Sequence, residues 1–492
     1  MKNNSTIQWV ILCLTSLLFS TEIRAQELKI SNPLIVSTGV NDGFSRPRIS
    51  LINDNQPFVI WVKTGSPNTL YASGKTAEGF DTPMIIGTPG VNPMVTMSAG
   101  PNSAARNDTV YIALFSKPVS TSGIFMMRSF DGGKTFNNPV RMVAPGSRYI
   151  FMPSMHIAPN GEPVSAFITT NTSWLTAFYE VSRSKDGGET FESAIRASSV
   201  APAEVCDCCP ASMAFEGDRE ILMFRNNNNN IRDIWVSMSE NRGATFEKGS
   251  DIDQTDWEIS GCPSTGPDGI ISDDSLVSVF MSGAGLSGRI MMSSTSTTSL
   301  KTGSHFFLNN DVPQFANQNY PMIAGHGDTL GVVWQQSYQG KTGVFFTWSV
   351  NGIDDLKTNI VELDPQGSNN LVTPHIIYAN GIFHIVYSDE TEKQIMYRQI
   401  ELQKVSTSVK KSVGIPSIEI LPNPTSGHSS IVFPFSDNWS ISLYSSSGQL
   451  LTTSKFTNTQ RGVLEGRHLE PGVYFVKAGT TRYQTHFQWV VN

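Results

Sequence analysis

The sequence predicts an all-β protein: a β-propeller, with seven blades by repeat count and six as the alternative, followed by a small C-terminal β-sandwich. An eight-residue pattern, Ser-x-Asp/Asn-x-Gly-x-Thr-Phe, begins at Ser129, Ser184 and Ser239, and the two spacings are equal, since 184 − 129 and 239 − 184 are both 55. A fixed period of that length is typical of repeat architectures. Short apolar strands, each led by a proline, recur about seven times between Pro47 and Leu402. Four strands per repeat make a propeller blade.

The first 25 residues predict a secretory signal, and the chain divides into four segments. Lys2 precedes an apolar run from Trp9 to Phe19, and a small residue, Ala25, stands at the expected cleavage site. The run is too short to span a membrane. We expect a signal peptide at 1–25, the propeller at 26–405, a linker at 406–415 and the C-terminal domain at 416–492. The protein is then exported, and either secreted or attached to the cell surface.

The charge of the chain argues against a nucleic-acid partner. The formal net charge is −7, and the 35 basic residues form no run or stripe. Nucleic acids and anionic membranes are bound by clustered Lys and Arg. No second apolar segment is long enough for a membrane span. Small neutral ligands and polymeric ligands both stay open, and we expect a monomer.

Each copy of the eight-residue pattern fits the tip of a β-hairpin. The Ser and Asp side chains can bond nearby backbone groups, the second Gly tolerates a positive φ, and the closing Phe packs under the turn. The residues concerned are Ser129, Asp131, Gly133, Thr135, Phe136, Ser184, Asp186, Gly188, Thr190, Phe191, Ser239, Asn241, Gly243, Thr245 and Phe246. The pattern resembles the Asp-box, or BNR repeat, of sialidase-like β-propellers.

The prolines that lead the repeats predict which residues face the central channel. Because each inner strand starts at one face of a propeller, the residues before these prolines should form a ring. The ring comprises Arg46, Asn92, Met152, Cys209, Cys262, Tyr320 and Thr373. The last repeat stops after its third strand, Gln394 to Leu402, so Leu34 to Val36 is expected to supply the missing outer strand and close the ring.

The C-terminal segment resembles the sorting domain of the type IX secretion system of Bacteroidetes-type bacteria. The motifs that carry the resemblance are Pro422-Asn423-Pro424, Ser447-Gly448-Gln449 and Leu469-Glu470-Pro471-Gly472-Val473-Tyr474. The resemblance implies the type IX machinery as a partner. A carbohydrate-binding or immunoglobulin-like sandwich is the alternative, because short alternating strands are common to all three.

The sialidase resemblance implies a set of catalytic groups. Such an enzyme needs an arginine cluster for the substrate carboxylate, a Tyr nucleophile activated by a Glu, and an Asp acid/base. Tyr320 is the candidate nucleophile and Glu258 the carboxylate that would activate it. Arg46 and Arg225 are the candidates for binding the substrate carboxylate. Further candidates are Arg148, Arg289, Glu204, Asp42 and Asp54. The alternative for each arginine is an ordinary solvated or salt-bridged side chain.

Four residues are candidates for binding a sugar. Arg232 lies in the Asn-rich segment from Arg225 to Asp233, which either forms a long hairpin loop or offers amides to sugar hydroxyls. Trp257 could supply a stacking face or pack at a blade edge. Asn92 and Met152 belong to the predicted ring.

The cysteines allow two interpretations. An oxidising compartment favours disulfides, and Cys209 to Cys262 across adjacent blades is the pairing that the repeat phase predicts. Alternatively the thiolates of Cys206, Cys208, Cys209 and Cys262 hold a soft metal, Cu(I) or Zn(II).

The sequence therefore leaves two functions open. One is glycan handling outside the cell, by an exo-sialidase-type glycoside hydrolase or a degenerate glycan-binding relative. The other is a non-enzymatic scaffold whose Cys-rich channel mouth holds a metal or a protein partner.

Overall fold

A computed structural model describes residues 26–39, 45–53, 55–119, 123–285, 287–309, 311–367, 370–404, 418–446, 448–480 and 484–492. The predicted signal peptide, the linker, Asp42, Asp54 and Ser447 lie outside these residues. The chain divides after Val405 into two compact units. The first is a propeller and the second is the C-terminal unit.

Within the part of 26–405 that the structure describes, the propeller has seven antiparallel sheets, so the predicted fold class and the count of seven are confirmed. Two strands precede the first blade: β1 (Gln26–Ile30) and β2 (Leu34–Thr38). Blade 1 contains β3 (Arg48–Ile52), β4 (Gln56–Lys63), β5 (Thr69–Gly74) and β6 (Met84–Ile86). Blade 2 contains β7 (Asn102–Arg106), β8 (Thr109–Phe115), β9 (Ile124–Ser129) and β10 (Val140–Arg141). Blade 3 contains β11 (Arg148–Phe151), β12 (His156–Ile157), β13 (Pro163–Asn171), β14 (Ala177–Arg183) and β15 (Ile195–Arg196).

The remaining four blades contain the following strands, again given in chain order. Blade 4 contains β16 (Glu204–Val205), β17 (Ser212–Glu216), β18 (Arg219–Asn227), β19 (Ile234–Ser239) and β20 (Lys248–Asp251). Blade 5 contains β21 (Asp268–Ser272), β22 (Ser275–Ser282), β23 (Arg289–Ser296) and β24 (Thr302–Phe307). Blade 6 contains β25 (Asn317–His326), β26 (Thr329–Tyr338), β27 (Lys341–Ser349) and β28 (Val361–Glu362), with a 3₁₀ turn at Asp354–Lys357. Blade 7 contains β29 (Leu371–Ala379), β30 (Ile382–Asp389) and β31 (Gln394–Lys404).

The N-terminal segment closes the ring of blades, as the incomplete last repeat of the sequence predicts. Both β1 and β2 pair antiparallel with β31, so the N-terminal segment completes blade 7. The inner strand β3 of blade 1 in turn contacts β29 of blade 7. Closure covers the edge that β31 would otherwise expose.

One long strand of each blade is buried along most of its length, because neighbouring blades cover both of its faces; these strands are β4, β8, β13, β18, β22, β26 and β30. In β8, every residue from Val110 to Phe115 is buried. Burying one such side chain contributes roughly 1.5–3 kcal/mol. The continuous apolar runs of the sequence therefore mark strands packed between two blades rather than strands with one solvated face.

The predicted hairpin turns share one hydrogen-bond pattern. In the first copy, the Ser129 Oγ donates to Asp131 Oδ1 at 2.7 Å and accepts from the Gly133 N–H at 2.9 Å. The Thr135 side chain donates to Asp131 Oδ2 at 2.6 Å, and these bonds hold the pKa of Asp131 at about 2. Gly133 has φ +79°, and a Cβ there would lie 2.6 Å from the ring of Phe58 in the preceding blade. The pattern therefore joins neighbouring blades through packing and carries no reactive group.

The described residues of the C-terminal unit are β-rich and form one five-stranded antiparallel sheet. Its strands are β32 (Glu419–Leu421), β33 (His428–Tyr444), β34 (Leu450–Glu465), β35 (Gly472–Gly479) and β36 (Gln484–Val491). The long β33 pairs with three of the other strands. Trp439 and Trp489 are buried in its core.

Candidate active site in the channel

All seven blades line one cavity of about 390 Å³ at the centre of the ring. This volume suits a small ligand, since ligand sites usually measure about 300–1,000 Å³. The inner strands around it are tied to one another by side chains. Ser50 and Ser103 join blades 1 and 2 at 2.7 Å, and Ser212 donates to Asp268 across blades 4 and 5 at 2.9 Å.

The residues that follow the leading prolines, rather than those that precede them, form the complete ring. One from each blade lines the cavity: Arg48, Asn102, Ser154, Ala211, Asp268, Met322 and His375. Of the predicted ring, only Arg46, Tyr320 and Thr373 line it. The prolines beside the inner strands of blades 2 and 5 are Pro101 and Pro267, so the sequence-based choice of Pro93 and Pro263 is wrong for these blades.

The backbone explains the shift of the ring. Arg46, Met152, Tyr320 and Thr373 each precede a proline and have φ of 44°, 53°, 50° and 52°. This left-handed conformation is uncommon for residues other than glycine. In β25 and β29 the pairing register also shifts at this point. In blades 1, 3, 6 and 7 this conformation changes the direction of the chain just before the proline, and the residue after the proline lines the channel.

Two buried arginines dominate the charge of the cavity. Arg46 donates through Nη1 to the Pro101 carbonyl at 3.1 Å, and Arg48 donates to the Pro47 carbonyl at 2.8 Å. The Nε of each has no hydrogen-bond partner. Burial lowers the pKa of Arg46 well below its usual value and that of Arg48 to about 9. Because a guanidinium keeps its proton at neutral pH, the shifts indicate positive charge that the protein does not fully compensate.

The other ionisable groups of the cavity add little negative charge. Asp268 is the only carboxylate among the described lining residues. Burial raises its pKa, although it accepts hydrogen bonds from Ser212 Oγ and the Ile323 N–H. Burial also lowers the pKa of His156 to about 4 and that of His375 well below its usual value, with the nearby arginines lowering His375 further. Both imidazoles are therefore neutral at pH 7.

Tyr320 and Arg46 both line the cavity, but the described residues do not form a nucleophilic pair around the Tyr320 hydroxyl. Burial raises the pKa of its hydroxyl, and the Arg46 charge opposes this shift. Among the residues that the structure describes, no carboxylate forms a hydrogen bond with this hydroxyl. Glu258 is exposed and lies outside the cavity, where its backbone bridges to Ile231.

Arg225 does not join the arginines of the channel. It is fully buried and donates to three backbone carbonyls: those of Thr265 at 3.2 Å, Arg232 at 2.5 Å and Met281 at 2.6 Å. Its guanidinium carbon lies 5.3 Å from the ring centre of Trp257, which is itself only 9% exposed. Arg225 and Trp257 thus form a packed unit between blades 4 and 5, and the ring has no free face for a sugar.

The other predicted site residues also lie elsewhere. Asn92 accepts a hydrogen bond from the Asn68 N–H, and Met152 packs against the apolar core. Arg148 pairs with Glu180 at 3.1 Å. Arg289 donates to the carbonyls of Pro313, Gln314 and Ala316. Glu204 forms part of the short strand β16 and does not line the cavity.

The disulfide joins Cys208, not Cys209, to Cys262, with Cα atoms 6.4 Å apart. The predicted pairing is wrong because Cys209 is buried and turns towards Cys206, whereas Cys208 is half-buried and faces the exposed Cys262. Residues 206–209 form a turn in which the Cys209 N–H donates to the Cys206 carbonyl at 3.4 Å. This turn places the Cys209 sulfur 2.8 Å from that of Cys206 and leaves Cys208 to reach Cys262.

Cys206 and Cys209 are free thiols next to this disulfide. Together with Cys208 their sulfurs form a cluster in which all three lie within 4.8 Å of one another. Arg232 donates to the Cys206 Sγ at 3.2 Å. This guanidinium stabilises a thiolate and opposes a metal cation, and Cys208 is already bonded. Copper or zinc at this cluster stays a prediction.

Comparison with known proteins identifies the C-terminal unit. Residues 419–492 match the family described as the secretion system C-terminal sorting domain. No curated protein is significantly similar to the chain.

Several solved structures resemble the chain weakly. A protein of unknown function from Dyadobacter fermentans DSM 18053 has 11% identity and a TM-score of 0.48, covering 76% of this chain and 99% of that one. The polysaccharide lyase Uly1 has 9% identity and a TM-score of 0.47, with 76% and 99% covered. Trypanosoma rangeli sialidase in complex with sialic acid has 12% identity and a TM-score of 0.45, with 94% and 87% covered. Similarity at this level carries no information about activity.

The sorting domain settles the destination of the protein. No helix among the described residues is long and apolar enough to cross a membrane. The match of residues 419–492 to the C-terminal sorting domain indicates type IX secretion, and the protein is therefore secreted or displayed at the cell surface.

Proposed function

We propose that the exported propeller binds an acidic sugar, one that carries a carboxylate, in its channel cavity, and that it does so without cleaving it. The observation that carries this proposal is the pair Arg46 and Arg48. Both guanidinium groups are buried, both have an unpartnered Nε, and they share the cavity with one carboxylate, Asp268. A ligand carboxylate would compensate this charge and accept charge-assisted hydrogen bonds.

The rest of the lining suits a sugar. Hydroxyl and amide groups stand beside apolar side chains, as a sugar ring with polar edges and apolar faces requires. The polar members are Asn102, Ser103, Ser154, Ser212 and Thr373, and the apolar members are Met97, Met155, Met213, Phe215 and Met322. Export by the sorting domain brings this cavity to the compartment where acidic polysaccharides and glycoconjugates occur.

The geometry supports binding over hydrolysis. A retaining hydrolase needs a nucleophile with an activating base and a second acid/base group. The Tyr320 hydroxyl has no carboxylate partner among the described residues, and Asp268 is held by Ser212 and by a backbone N–H. Arg225 and Glu258, the other candidates, lie outside the cavity.

Calorimetric titration of the purified full chain tests the proposal. Glucuronic acid, galacturonic acid and N-acetylneuraminic acid are compared with glucose and galactose. We expect at least one acidic sugar to bind, with affinity falling as salt rises, and the neutral sugars to bind at least tenfold more weakly. Arg48→Gln should abolish binding, whereas Arg106→Gln, at an exposed position outside the cavity, should not.

Two results would contradict the proposal. Equal affinity for acidic and neutral sugars, or binding by none of the acidic sugars or their oligosaccharides, would remove the role of the arginines. Release of a free monosaccharide or an unsaturated product from an oligosaccharide would show that the protein is an enzyme.

A further inference from the structure

The four cysteines of the propeller are arranged so that one sulfur can reach the next. Cys206 Sγ lies 2.8 Å from Cys209 Sγ and 3.4 Å from Cys208 Sγ. Cys208 carries the disulfide to Cys262. Cys206 and Cys209 are fully buried, whereas Cys262 is exposed. A buried dithiol therefore stands directly behind a disulfide that opens to the surface.

The two free thiols differ in their surroundings. Cys209 donates a hydrogen bond to the Cys206 Sγ at 2.8 Å, and Arg232 donates to the same sulfur at 3.2 Å. These contacts, with the charge of Arg225 nearby, favour the Cys206 thiolate and lower its pKa. Burial raises the pKa of Cys209 well above its usual value. The thiolate is the reactive form in disulfide exchange. Cys206 is thus suited to attack and Cys209 to follow it as a protonated thiol.

We propose that the disulfide moves between Cys208–Cys262 and Cys206–Cys209 by internal thiol–disulfide exchange. The Cys206 thiolate attacks Cys208 Sγ, a Cys206–Cys208 bond forms, and the electron pair of the old bond leaves on Cys262 Sγ. Cys209 passes its proton to solvent or to the Cys262 thiolate and attacks Cys206 Sγ. The Cys206–Cys209 bond forms, and Cys208 leaves as a thiolate that takes up a proton.

The exchange is balanced without an oxidant or a reductant. One disulfide breaks, one forms, and the number of thiols is unchanged. The product exposes Cys262 as a surface thiol and stores the disulfide in the buried pair. An external disulfide, such as oxidised glutathione, can then take two electrons from Cys208 and Cys262 and close the second bond.

The position of the sulfurs links this chemistry to the cavity wall. Cys209 directly precedes Pro210, and Cys262 lies three residues before Thr265. Pro210 and the segment from Thr265 to Pro267 line the channel. The Tyr179 hydroxyl donates to the Cys209 carbonyl and holds the loop on its other side. Opening the bond to Cys262 removes the covalent link between the two segments of this wall, whereas the Cys206–Cys209 bond lies within a single loop.

Trapping with iodoacetamide tests the exchange in the native full chain, without any oxidant, followed by disulfide mapping by mass spectrometry. We expect a product that grows with time, alkylated on Cys208 and Cys262 and bonded between Cys206 and Cys209. Cys206→Ser should prevent its formation and leave the Cys208–Cys262 bond intact. Cys262→Ser, treated with oxidised glutathione, should form the Cys206–Cys209 bond directly.

Three results would contradict the proposed thiol–disulfide exchange. Alkylation of Cys206 and Cys209 with Cys208–Cys262 intact, or no change in pairing over the whole incubation, would overturn the proposal. So would metal bound to the four sulfurs of the isolated protein. The wild-type measurement needs no variant to fold, and it is independent of sugar binding.

Discussion

Arg225→Met should destabilise the propeller by several kcal/mol without any direct effect on the channel. The methionine keeps most of the length of the side chain but removes every donor. Three backbone carbonyls, those of Thr265, Arg232 and Met281, then lose their partner inside the interface between blades 4 and 5.

The magnitude follows from the number of bonds. A buried polar group left without a partner costs roughly 1–3 kcal/mol, so three carbonyls give about 3–9 kcal/mol before relaxation. Water entering beside the smaller side chain would satisfy part of this demand, which places the expected loss at about 3–5 kcal/mol, as for other broken buried charged groups. Loss of the contact with Trp257 acts in the same direction.

Urea unfolding followed by tryptophan fluorescence measures the change. Arg106→Met is the matched control, because Arg106 is exposed and donates to one carbonyl, that of Pro159. We expect less than about 0.5 kcal/mol for that surface substitution. If Arg225→Met lowers the free energy of unfolding by less than about 1 kcal/mol, Arg225 does not stabilise the interface between blades 4 and 5 as we infer. A variant of normal stability that no longer binds sugar would refute the inference as well.

Two further predictions concern stability. Burial raises the pKa of Asp253 to about 7, so the folded state keeps a proton that the unfolded state loses near pH 4. The free energy of unfolding should therefore fall as pH rises from 4 to 7. Urea midpoints of Asp253→Asn should depend less on pH and be higher than wild type at pH 7.5, and an unchanged pH dependence would be the contrary result. Ser184→Ala removes the buried hydroxyl that accepts a hydrogen bond from the Gly188 N–H and donates one to Asp186. Urea unfolding should show that the free energy of unfolding falls by about 1–2 kcal/mol. An unchanged free energy of unfolding would mean that the turn does not depend on this hydroxyl.

The architecture could be predicted because a blade is specified locally. The equal spacing of Ser129, Ser184 and Ser239, together with the proline-led strands, gives the number of modules, and the incomplete last repeat requires an outer strand from elsewhere. The segment at Leu34 meets that need by pairing with β31. These features depend on periodicity and on unpaired edges, both of which are visible in a single sequence.

The channel residues could be predicted only in part, because they depend on where a strand kinks. The sequence locates the prolines of five blades but not the left-handed conformation of the residue before four of them. The predicted residue lines the cavity in blades 1, 6 and 7, misses it in blades 3 and 4, and precedes the wrong proline in blades 2 and 5. Arg48 and His375 directly follow prolines, and this pattern could have revealed them. The pairing of Cys208 and the partners of Arg225 depend on side-chain direction between blades, which the repeat phase does not encode.

The kink also explains how one repeated backbone can hold an asymmetric site. The proline fixes the local geometry and donates no hydrogen bond, so the next side chain is free to vary without disturbing the blade. In the channel this variation places the arginines Arg46 and Arg48 on blade 1 and neutral His375 on blade 7, while Asp268 stands on blade 5. A bound carboxylate should therefore lie towards blade 1, away from Asp268, and the hydroxyls of the sugar should face blades 2 to 4. Seven equivalent positions thus give the cavity a direction that the repeat itself lacks.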